Sequence, residues 1–402
     1  MAIRHLVTVL FFMPVLLVAQ MWEELIVTQP QYGIQGTFWN NSTRIPASIF
    51  HHFSGVGSTN QSAADRAAQS GSTHFALEAQ WKAFADVYLS SKKKEAGYLS
   101  HFSLSQRIIA AGQLMNDGAP LLFMGNRQFE NETATADNSH LSLYNYHCAR
   151  FGFTKQKANY SYGMNLGIAA GRSFVQADVN RFNLFTAPFG EYLDVDMSLS
   201  LHQNNARTYY NGAGALLDLH YLRKINEKQS ITLQLSDLGF MRWNEQTTRE
   251  TADTSFRFEG LVIDDLFNFD GENINIGDTL NNLLGISTRN ASITTLLPFR
   301  LTLNYHYVAS DWLSLNGTLA YHHLLHRMPW VRLGGRFRMS NEIDLSAGLQ
   351  LLGAGIFNPE IGITYRKDRF QLAVNALAGE SFNFNTSSGS GLMMKLIIFT
   401  QR

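Results

Sequence analysis

The fold of this chain is decided by the stretch Tyr192-Leu-Asp-Val-Asp-Met-Ser-Leu-Ser-Leu-His202. Its odd positions, from Leu193 to Leu201, are apolar, and its even positions are polar. The same alternation recurs over residues 342–351. Because successive side chains of a strand point to opposite faces, each stretch predicts a strand with one apolar and one polar face. The repetition of this pattern along most of the chain predicts an antiparallel sheet large enough to close into a barrel.

The composition favours a protein that meets lipid. Charged residues make up 16% of the 402 residues, below the quarter that is usual in soluble proteins. Aromatic residues reach 12%, as expected if aromatic girdles mark two lipid–water boundaries. The 32 basic and 32 acidic residues balance, so the net charge gives no indication of a nucleic-acid partner.

Residues 1–19 have the pattern of a signal peptide. Arg4 and His5 precede the apolar run Leu6–Val18, and Ala19 offers a small residue for cleavage. The run is too short for a membrane helix, and no later stretch of about eighteen apolar residues occurs. The exported protein is therefore expected to be either soluble or inserted in lipid as a closed sheet, since an open sheet edge cannot satisfy its backbone groups there.

The predicted architecture is an all-β, antiparallel transmembrane β-barrel of about 14 strands with short inserted helices. Residues 20–72 are interpreted as an N-terminal segment with one or two strands and a flexible loop, and residues 73–402 as the barrel. Short helices are expected over Arg107–Met115 and within a loop insertion at residues 260–287. Tight turns alternate with long loops, which is the asymmetry of outer-membrane barrels.

Charge placement predicts which face meets lipid. Arg332, Arg336 and Arg338 share one parity of their strand, and each would cost about 2–4 kcal/mol near the bilayer midplane. Three such costs approach the whole stability of a typical fold, about 5–15 kcal/mol. The polar face is therefore expected to line the lumen, either as bracing ion pairs or as a selective pore lining. The predicted lumen residues are Asp194, Asp196, His202, Asp218, His220, His306, His322, Arg332, Arg336, Arg338, Glu342 and Asp344.

Apolar residues in the two expected helical segments form a candidate plug or lid. Attached to a barrel, such residues could block the lumen, line a pocket for a hydrophobic ligand, or form a surface for a partner. The residues concerned are Ile108, Ile109, Leu114, Leu261, Leu266, Phe267 and Leu283.

The chain has no sequence motif for covalent chemistry. A Gly-x-Ser-x-Gly elbow, a His-Glu-x-x-His helix and a glycine-rich phosphate loop are all missing from the sequence. His322 and His326 would lie roughly 13 Å apart on a strand, too far to share a metal ion. We therefore predict that the protein is not an enzyme and uses neither a cofactor nor a metal.

One segment carries a family resemblance. Leu235-Ser-Asp-Leu-Gly-Phe-Met-Arg-Trp243, followed by Phe256-Arg-Phe-Glu-Gly260 and Ile263-Asp-Asp-Leu266, resembles an uncharacterised family of Bacteroidota-type outer-membrane barrels, similar in plan to fatty-acid-transporter-like barrels. Arg44-Ile-Pro-Ala47 stands where such barrels often have an Asn-Pro-Ala element. Many bacterial barrels end in an aromatic residue, whereas the last residues here are Phe399-Thr-Gln-Arg402. The resemblance implies a location in the outer membrane and a fold, and no established activity.

Three functional hypotheses follow. The first is a porin-like channel or transporter in the cell outer membrane, surrounded by lipid, with an obstructed lumen that passes small or hydrophobic solutes. The second is a secretion-associated or scaffold barrel that binds envelope or secretion-system proteins, as type IX secretion barrels do. The third is a secreted soluble β-protein.

Overall fold

The computed structural model describes residues 30–47, 65–67, 71–204, 210–259, 285–324, 329–351, 357–378 and 389–400. Within these ranges the chain forms nineteen strands that belong to one antiparallel sheet. The predicted signal peptide and most of the predicted insertion at residues 260–287 lie outside the described residues. The N-terminal segment contributes one strand among its described residues, β1.

The elements have the following bounds. The strands are β1 (Gln31–Ser42), β2 (Thr73–Val87), β3 (Tyr98–Leu114), β4 (Thr133–Thr135), β5 (Ser139–Gln156), β6 (Tyr160–Thr186), β7 (Leu193–Asn204), β8 (Gly212–Lys224), β9 (Gln229–Trp243), β10 (Thr248–Phe258), β11 (Ser287–Asn290), β12 (Ile293–Leu296), β13 (Arg300–Val308), β14 (Leu313–His322), β15 (Trp330–Arg338), β16 (Ile343–Leu351), β17 (Phe357–Lys367), β18 (Phe370–Ala378) and β19 (Gly389–Phe399). The helices are α1 (Ser91–Glu95) and α2 (Gly118–Met124), and two 3₁₀ turns span Arg127–Phe129 and Pro188–Gly190.

Fourteen of the strands form a closed ring, which confirms the predicted antiparallel barrel of about 14 strands. In ring order they are β1, β2, β3, β5, β6, β8, β9 and then β13 to β19. The ring closes where β19 pairs with β1, in a register that runs from Gln31 opposite Phe399 to Asn41 opposite Gly389. Closure pairs the backbone groups of both outermost strands, so the wall has no open edge.

The two ends of the ring differ. At one end, here called the short-turn end, neighbouring strands are joined by brief turns at residues 157–159, 225–228, 309–312, 339–342 and 368–369, and α1 lies in the connection between β2 and β3. The other end, here called the long-loop end, carries the longer connections, including residues 43–72 and 115–138. The loop asymmetry expected from the sequence is therefore present.

The helix predicted over Arg107–Met115 is wrong, because this segment is the end of strand β3. Alanine, leucine and glutamine favour helices, but their propensities are weak beside tertiary pairing. Here Ile109 lies opposite Glu78 of β2 on one side and Tyr144 of β5 on the other. The helix on this side of the barrel is α2, a few residues later, with Pro120 in its first turn, where proline is tolerated.

A second sheet region projects past the ring at the long-loop end. Strand β6 is 27 residues long, and only its first part, Tyr160–Gly171, pairs with the ring strand β8. Its later part, Phe174–Thr186, pairs with β7, and β7 pairs along its length with β10. We call the later part of β6, together with β4, β7, β10 and β11, the sheet extension.

Candidate functional site: the barrel interior

The two faces of the ring differ in polarity. On β13 and β14, Leu301, Leu303 and Leu319 are each more than 40% exposed, whereas Thr302 and Thr318 are buried. The same alternation holds on the following strands. Because the buried parity points into the closed ring, the barrel has an apolar outer wall and a polar interior, the arrangement of transmembrane barrels.

Five charged side chains meet inside the ring, and we call them the interior charge cluster: Glu78, Arg107, Arg150, Asp218 and Asp237. Arg107 binds Glu78 at 2.6 Å and also binds Asp237. Arg150 binds the same Asp237 and lies 3.2 Å from Asp218. The result is a chain of alternating charges in which each buried ion has a partner of opposite sign, as burial of charge requires.

The interior charge cluster connects walls that are not neighbours. Arg107 is on β3 and Asp237 is on β9, and β5, β6 and β8 separate these strands around the ring. The contact between Arg107 and Asp237 therefore crosses the interior, and does not run along the wall. It gives the fold a cross-brace at this level.

A β-bulge places Asp237 at the centre of this cluster. The pairing of β8 with β9 shifts between Leu217 and Leu219, and Asp237 has a positive φ of 60°. Its backbone N–H donates to Asp218 Oδ1 at 2.8 Å. A bulge re-aims a side chain relative to a regular strand, and here it directs the carboxylate at two arginines.

A second buried ion pair lies on the opposite side of the ring. Arg332 Nε of β15 donates to Glu360 Oε2 of β17 at 2.8 Å, and both side chains are at most 2% exposed. The intervening strand β16 has Gly348 at this level, where a Cβ would lie 3.5 Å from the guanidinium. The arginine therefore passes Gly348 at ordinary contact distance as it reaches Glu360 across the intervening strand.

An apolar layer lies next to the interior charge cluster, towards the long-loop end. On β9 it contains Met241 and Trp243, which follow Asp237 along the strand, and the Trp243 ring stacks on Phe174 with 5.2 Å between centroids. Tyr144 completes the aromatic group at 5.3 Å from Phe174. These buried rings lie between the interior charge cluster and the long-loop end.

Several of the predicted lumen residues do lie on inward positions of the ring. Asp218 and Arg332 belong to the ion pairs described above. His322 is fully buried and lies within electrostatic range of Glu78 and Arg107. The others are His220, whose ring nitrogen is 3.1 Å from Thr154 Oγ1, and His306, Arg336 and Asp344, which share the parity of their buried neighbours.

Other predicted lumen residues lie elsewhere. Asp194, Asp196 and His202 are on β7, which belongs to the sheet extension and not to the ring, so their placement in the lumen is corrected. Alternation assigns a residue to a face but cannot say whether its strand lies inside or beyond the ring. Glu342 is exposed in the turn between β15 and β16, and Arg338 is 62% exposed at the short-turn end.

The sheet extension carries its own ion pairs. Arg257 binds Asp194 through two hydrogen bonds of 2.7 and 2.8 Å, and Arg181 joins Asp196 to Asp253 at 2.9 Å each. The hydrogen bonds from Arg257 lower the pKa of Asp194. These pairs are solvent-exposed, so each contributes little to stability, although together they tie β6, β7 and β10 to one another.

The candidate plug residues divide into two groups. Ile108, Ile109 and Leu114 are on strand β3, so they are not a helical plug. Ile109 forms a buried cluster with Ala76 and Ala111, and Trp39 packs against this cluster. The remaining members, Leu261, Leu266, Phe267 and Leu283, lie outside the described residues.

Sequence reasoning missed Glu78, Arg107, Arg150, Asp237 and Glu360. Glu78, Arg150, Asp237 and Glu360 are each flanked by apolar or small residues within a strand, and this pattern could have indicated an inward position. Arg107 has Gln106 before it and lacks this pattern. Asp237 lies in the middle of the motif that carries the family resemblance, but a bulge has no clear signature there. No group of three or more His, Cys, Asp or Glu residues is placed to hold a metal ion in the part of the chain that the structure describes.

The fold and interior define the class: a closed antiparallel β-barrel with an apolar wall and an ion-paired core. The chain belongs to a family of unknown function (DUF5723), whose family model matches residues 33–376. No curated protein matches the chain. Among the described residues, no helix is long and apolar enough to cross a membrane.

Solved structures with a similar chain path include transporters and channels. The toluene transporter TodX of P. putida is 11% identical with a TM-score of 0.44, covering 92% of this chain and 89% of its own. The toluene transporter TbuX of Ralstonia pickettii is 8% identical with a TM-score of 0.46, covering 94% and 91%. The monoaromatic hydrocarbon channel CymD is 8% identical with a TM-score of 0.41, covering 94% and 90%. These likenesses concern the fold.

Proposed function

We propose that the protein is an outer-membrane channel for small hydrophobic solutes whose lumen is closed at rest by the interior charge cluster. The outer wall supports a location in lipid, because apolar side chains cover it and the ring leaves no strand edge unpaired. Short turns of such barrels face the periplasm, so the long-loop end and the sheet extension would face outward. The proposal involves no covalent chemistry.

The observation that carries the proposal is the contact of Asp237 with both Arg107 and Arg150. It joins β9 to β3 and β5 across the interior, so it places charged side chains in the path of a solute at this level. Separating a buried pair leaves each ion without compensation, which is costly. We therefore expect the channel to be closed at rest and to open only when the contacts of Asp237 with Arg107 and Arg150 are disturbed.

The apolar layer supports the choice of a hydrophobic solute. Tyr144, Phe174 and Trp243 lie between the long-loop end and the interior charge cluster. Aromatic rings bury large areas and favour apolar partners, whereas an ion channel would carry carbonyl or charged groups at its selective level.

The test is Asp237→Asn in planar bilayers and in liposomes. Asparagine keeps the shape of the side chain and tolerates positive φ, so the bulge should survive while the charge is lost. We expect the variant to show higher conductance and faster flux of a small aromatic probe such as toluene than the wild type. Asp253→Asn, the same change on the exposed sheet extension, is the matched control and should behave as the wild type.

Absence of conductance and flux from both the wild type and Asp237→Asn, in protein that heat-modifiability shows to be folded, would refute the channel. Insertion in the outer membrane is checked separately by fractionation of cells. A protein released by carbonate would be a soluble β-protein instead.

The sheet extension favours a second candidate function, a scaffold that binds other envelope proteins. It presents exposed charged side chains beyond the ring, among them Asp253 at 74% exposure. A photo-crosslinking residue at position 253 should give one discrete protein adduct in cells if the scaffold function holds. If no adduct forms there, the scaffold function loses its support.

A further inference from the structure

The outer wall over β2, β3, β5 and β6 contains a groove of about 770 Å³. Small outward side chains form its floor, and larger ones stand beside them. The floor consists of Ala83, Ala85 and Ala149, and the sides include Phe102, Phe151 and Ile168. The rings of Phe102 and Phe151 lie 4.9 Å apart, and Ile168 is 71% exposed. The groove is thus an apolar hollow on the face that the proposed function places in lipid.

A basic, aromatic rim lies below the groove, at the short-turn end of the same strands. Lys155 follows Phe151 by four residues on β5, about 13 Å along the strand. Its Nζ donates to the backbone oxygen of Ala96 at 2.5 Å and lies 3.7 Å from the centre of the Tyr98 ring. These contacts fix the ammonium group at the short-turn end of β5, a strand that also lines the groove.

More lysines surround this position. Lys92, Lys93 and Lys94 lie on α1, between β2 and β3, and Lys157 lies in the turn between β5 and β6. With Lys155 they place five positive charges at the foot of this wall, against one carboxylate, Glu95. The turns on the opposite wall carry less positive charge: residues 309–312 contain Asp311, residues 339–342 contain Glu342, and residues 368–369 are Asp368 and Arg369. None of these three turns contains a lysine.

We propose that this wall binds one anionic phospholipid of the periplasmic leaflet, with an acyl chain in the groove and the phosphate at Lys155. The inference rests on the proposed location in the outer membrane, where the short-turn end faces that leaflet. Charge complementarity selects the occupant: clustered lysines beside a membrane surface attract anionic headgroups, and the neighbouring groove accepts only apolar chain. Tyr98 at the boundary fits the interfacial preference of aromatic side chains.

The test is native mass spectrometry of the full-length protein in detergent with equimolar phosphatidylglycerol and phosphatidylethanolamine. We expect one phosphatidylglycerol to be retained in preference to the zwitterionic lipid. Each lysine near a headgroup contributes about a fivefold effect, so Lys155→Glu with Lys157→Glu should lower retention by at least roughly 25-fold. Lys228→Glu with Lys367→Glu makes the same charge change at other short turns and should leave retention unchanged.

A second pair of variants tests the groove itself. Ala149→Phe fills the floor and should abolish retention, whereas Ala347→Phe adds the same ring to an exposed outward position of β16 and should not. Equal retention of both lipids, equal loss in the control variants, or a dimer of this chain in place of the lipid adduct would each overturn the proposal.

The conductance of the same preparations separates this site from the channel. We expect Lys155→Glu with Lys157→Glu to conduct as the wild type does, because these residues lie outside the lumen. Folded protein that shows neither conductance nor flux but still retains phosphatidylglycerol would refute the proposed function and would still support the lipid site.

Discussion

Asp237 shows how one backbone angle determines the chemistry of the interior. A residue other than glycine at φ 60° costs about 1–2 kcal/mol, although aspartate is among the side chains that tolerate it best. The two arginine contacts and the bond from its N–H to Asp218 offset this cost. The strained residue and the cross-brace are thus one feature, which is why the test of function changes this side chain.

The pair of Arg332 and Glu360 gives a prediction about stability. Arg332→Ala should lower the free energy of unfolding by about 3–5 kcal/mol, because it leaves the carboxylate of Glu360 buried and unpaired. Replacing both partners with Met and Leu should cost much less. Urea unfolding in liposomes, followed by tryptophan fluorescence, measures these differences.

Arg338→Ala is the matched control for this measurement. Arg338 lies 3.9 Å from Asp344 but is 62% exposed, so its loss should cost no more than about 1 kcal/mol. If Arg332→Ala proved as mild as Arg338→Ala, the interior would be far wetter than the buried geometry indicates.

The interior charge cluster could not be predicted from the sequence, for a physical reason. Its members, from Glu78 to Asp237, are distant along the chain, and alternation fixes only the face of each strand. Which faces oppose one another depends on the ring order. Arg332 was predicted to point inward, because placing it in lipid would cost several kcal/mol. Its partner Glu360 lies two strands away and could not be identified in the same manner.

At the scale of elements, the pairing of β7 with β10 should depend on pH. Hydrogen bonds from Arg257 lower the pKa of Asp194, and the bond from Ser255, with the charge of Arg181, lowers the pKa of Asp196. The folded extension therefore binds these protons less tightly than the unfolded chain. The resulting stability is fully present above the ordinary carboxyl pKa of about 4 and is lost as the pH falls through the lowered values.

Hydrogen-exchange protection measures this effect. Protection of the β7 and β10 amides should decrease modestly between about pH 5 and pH 2 relative to that of the β15 and β16 amides in the ring, because the ion pairs are solvent-exposed. Arg257→Gln should reduce the pH dependence, since Asp194 then loses the partner that lowers its pKa. An extension equally protected at both pH values would show that these ion pairs contribute nothing to its pairing.

Two elements mark the limit of what local sequence determines. Strand β7 was predicted as a strand from its alternation, yet its place in the sheet extension depends on the unusual length of β6. The end of β3 was predicted as a helix, since Ile108 to Gln113 has no two-residue period. Strand partners on both sides override that local preference.

For the whole molecule, the apolar outer wall predicts that the free-energy cost of a charged substitution depends on its depth in the bilayer. Leu333→Arg places a charge on the outward face in the middle of β15, and it should destabilise the folded barrel by about 2–4 kcal/mol in lipid. Met339→Arg has the same outward parity at the short-turn end and should cost at most about 1 kcal/mol. Unfolding from liposomes gives both values, and equal costs would argue against a transmembrane wall.

The barrel class and the approximate strand number followed from the sequence because each strand repeats the same two-sided pattern. Closure itself is a collective property: it requires Gln31 to meet Phe399, and no local signal encodes that meeting. Alternation nevertheless favours a closed sheet, because every strand has an apolar face that must contact either lipid or a core.

The seam between the first and last strands has a consequence for biogenesis. Until β19 pairs with it, one edge of β1 has unpaired backbone groups, and any other extended polypeptide could add to that edge as a strand. Joining two segments so remote in the chain also carries a large loop-closure entropy, so sealing should come late in assembly. A chaperone or assembly factor that binds this polypeptide must therefore cover the unpaired edge of β1 until the barrel closes.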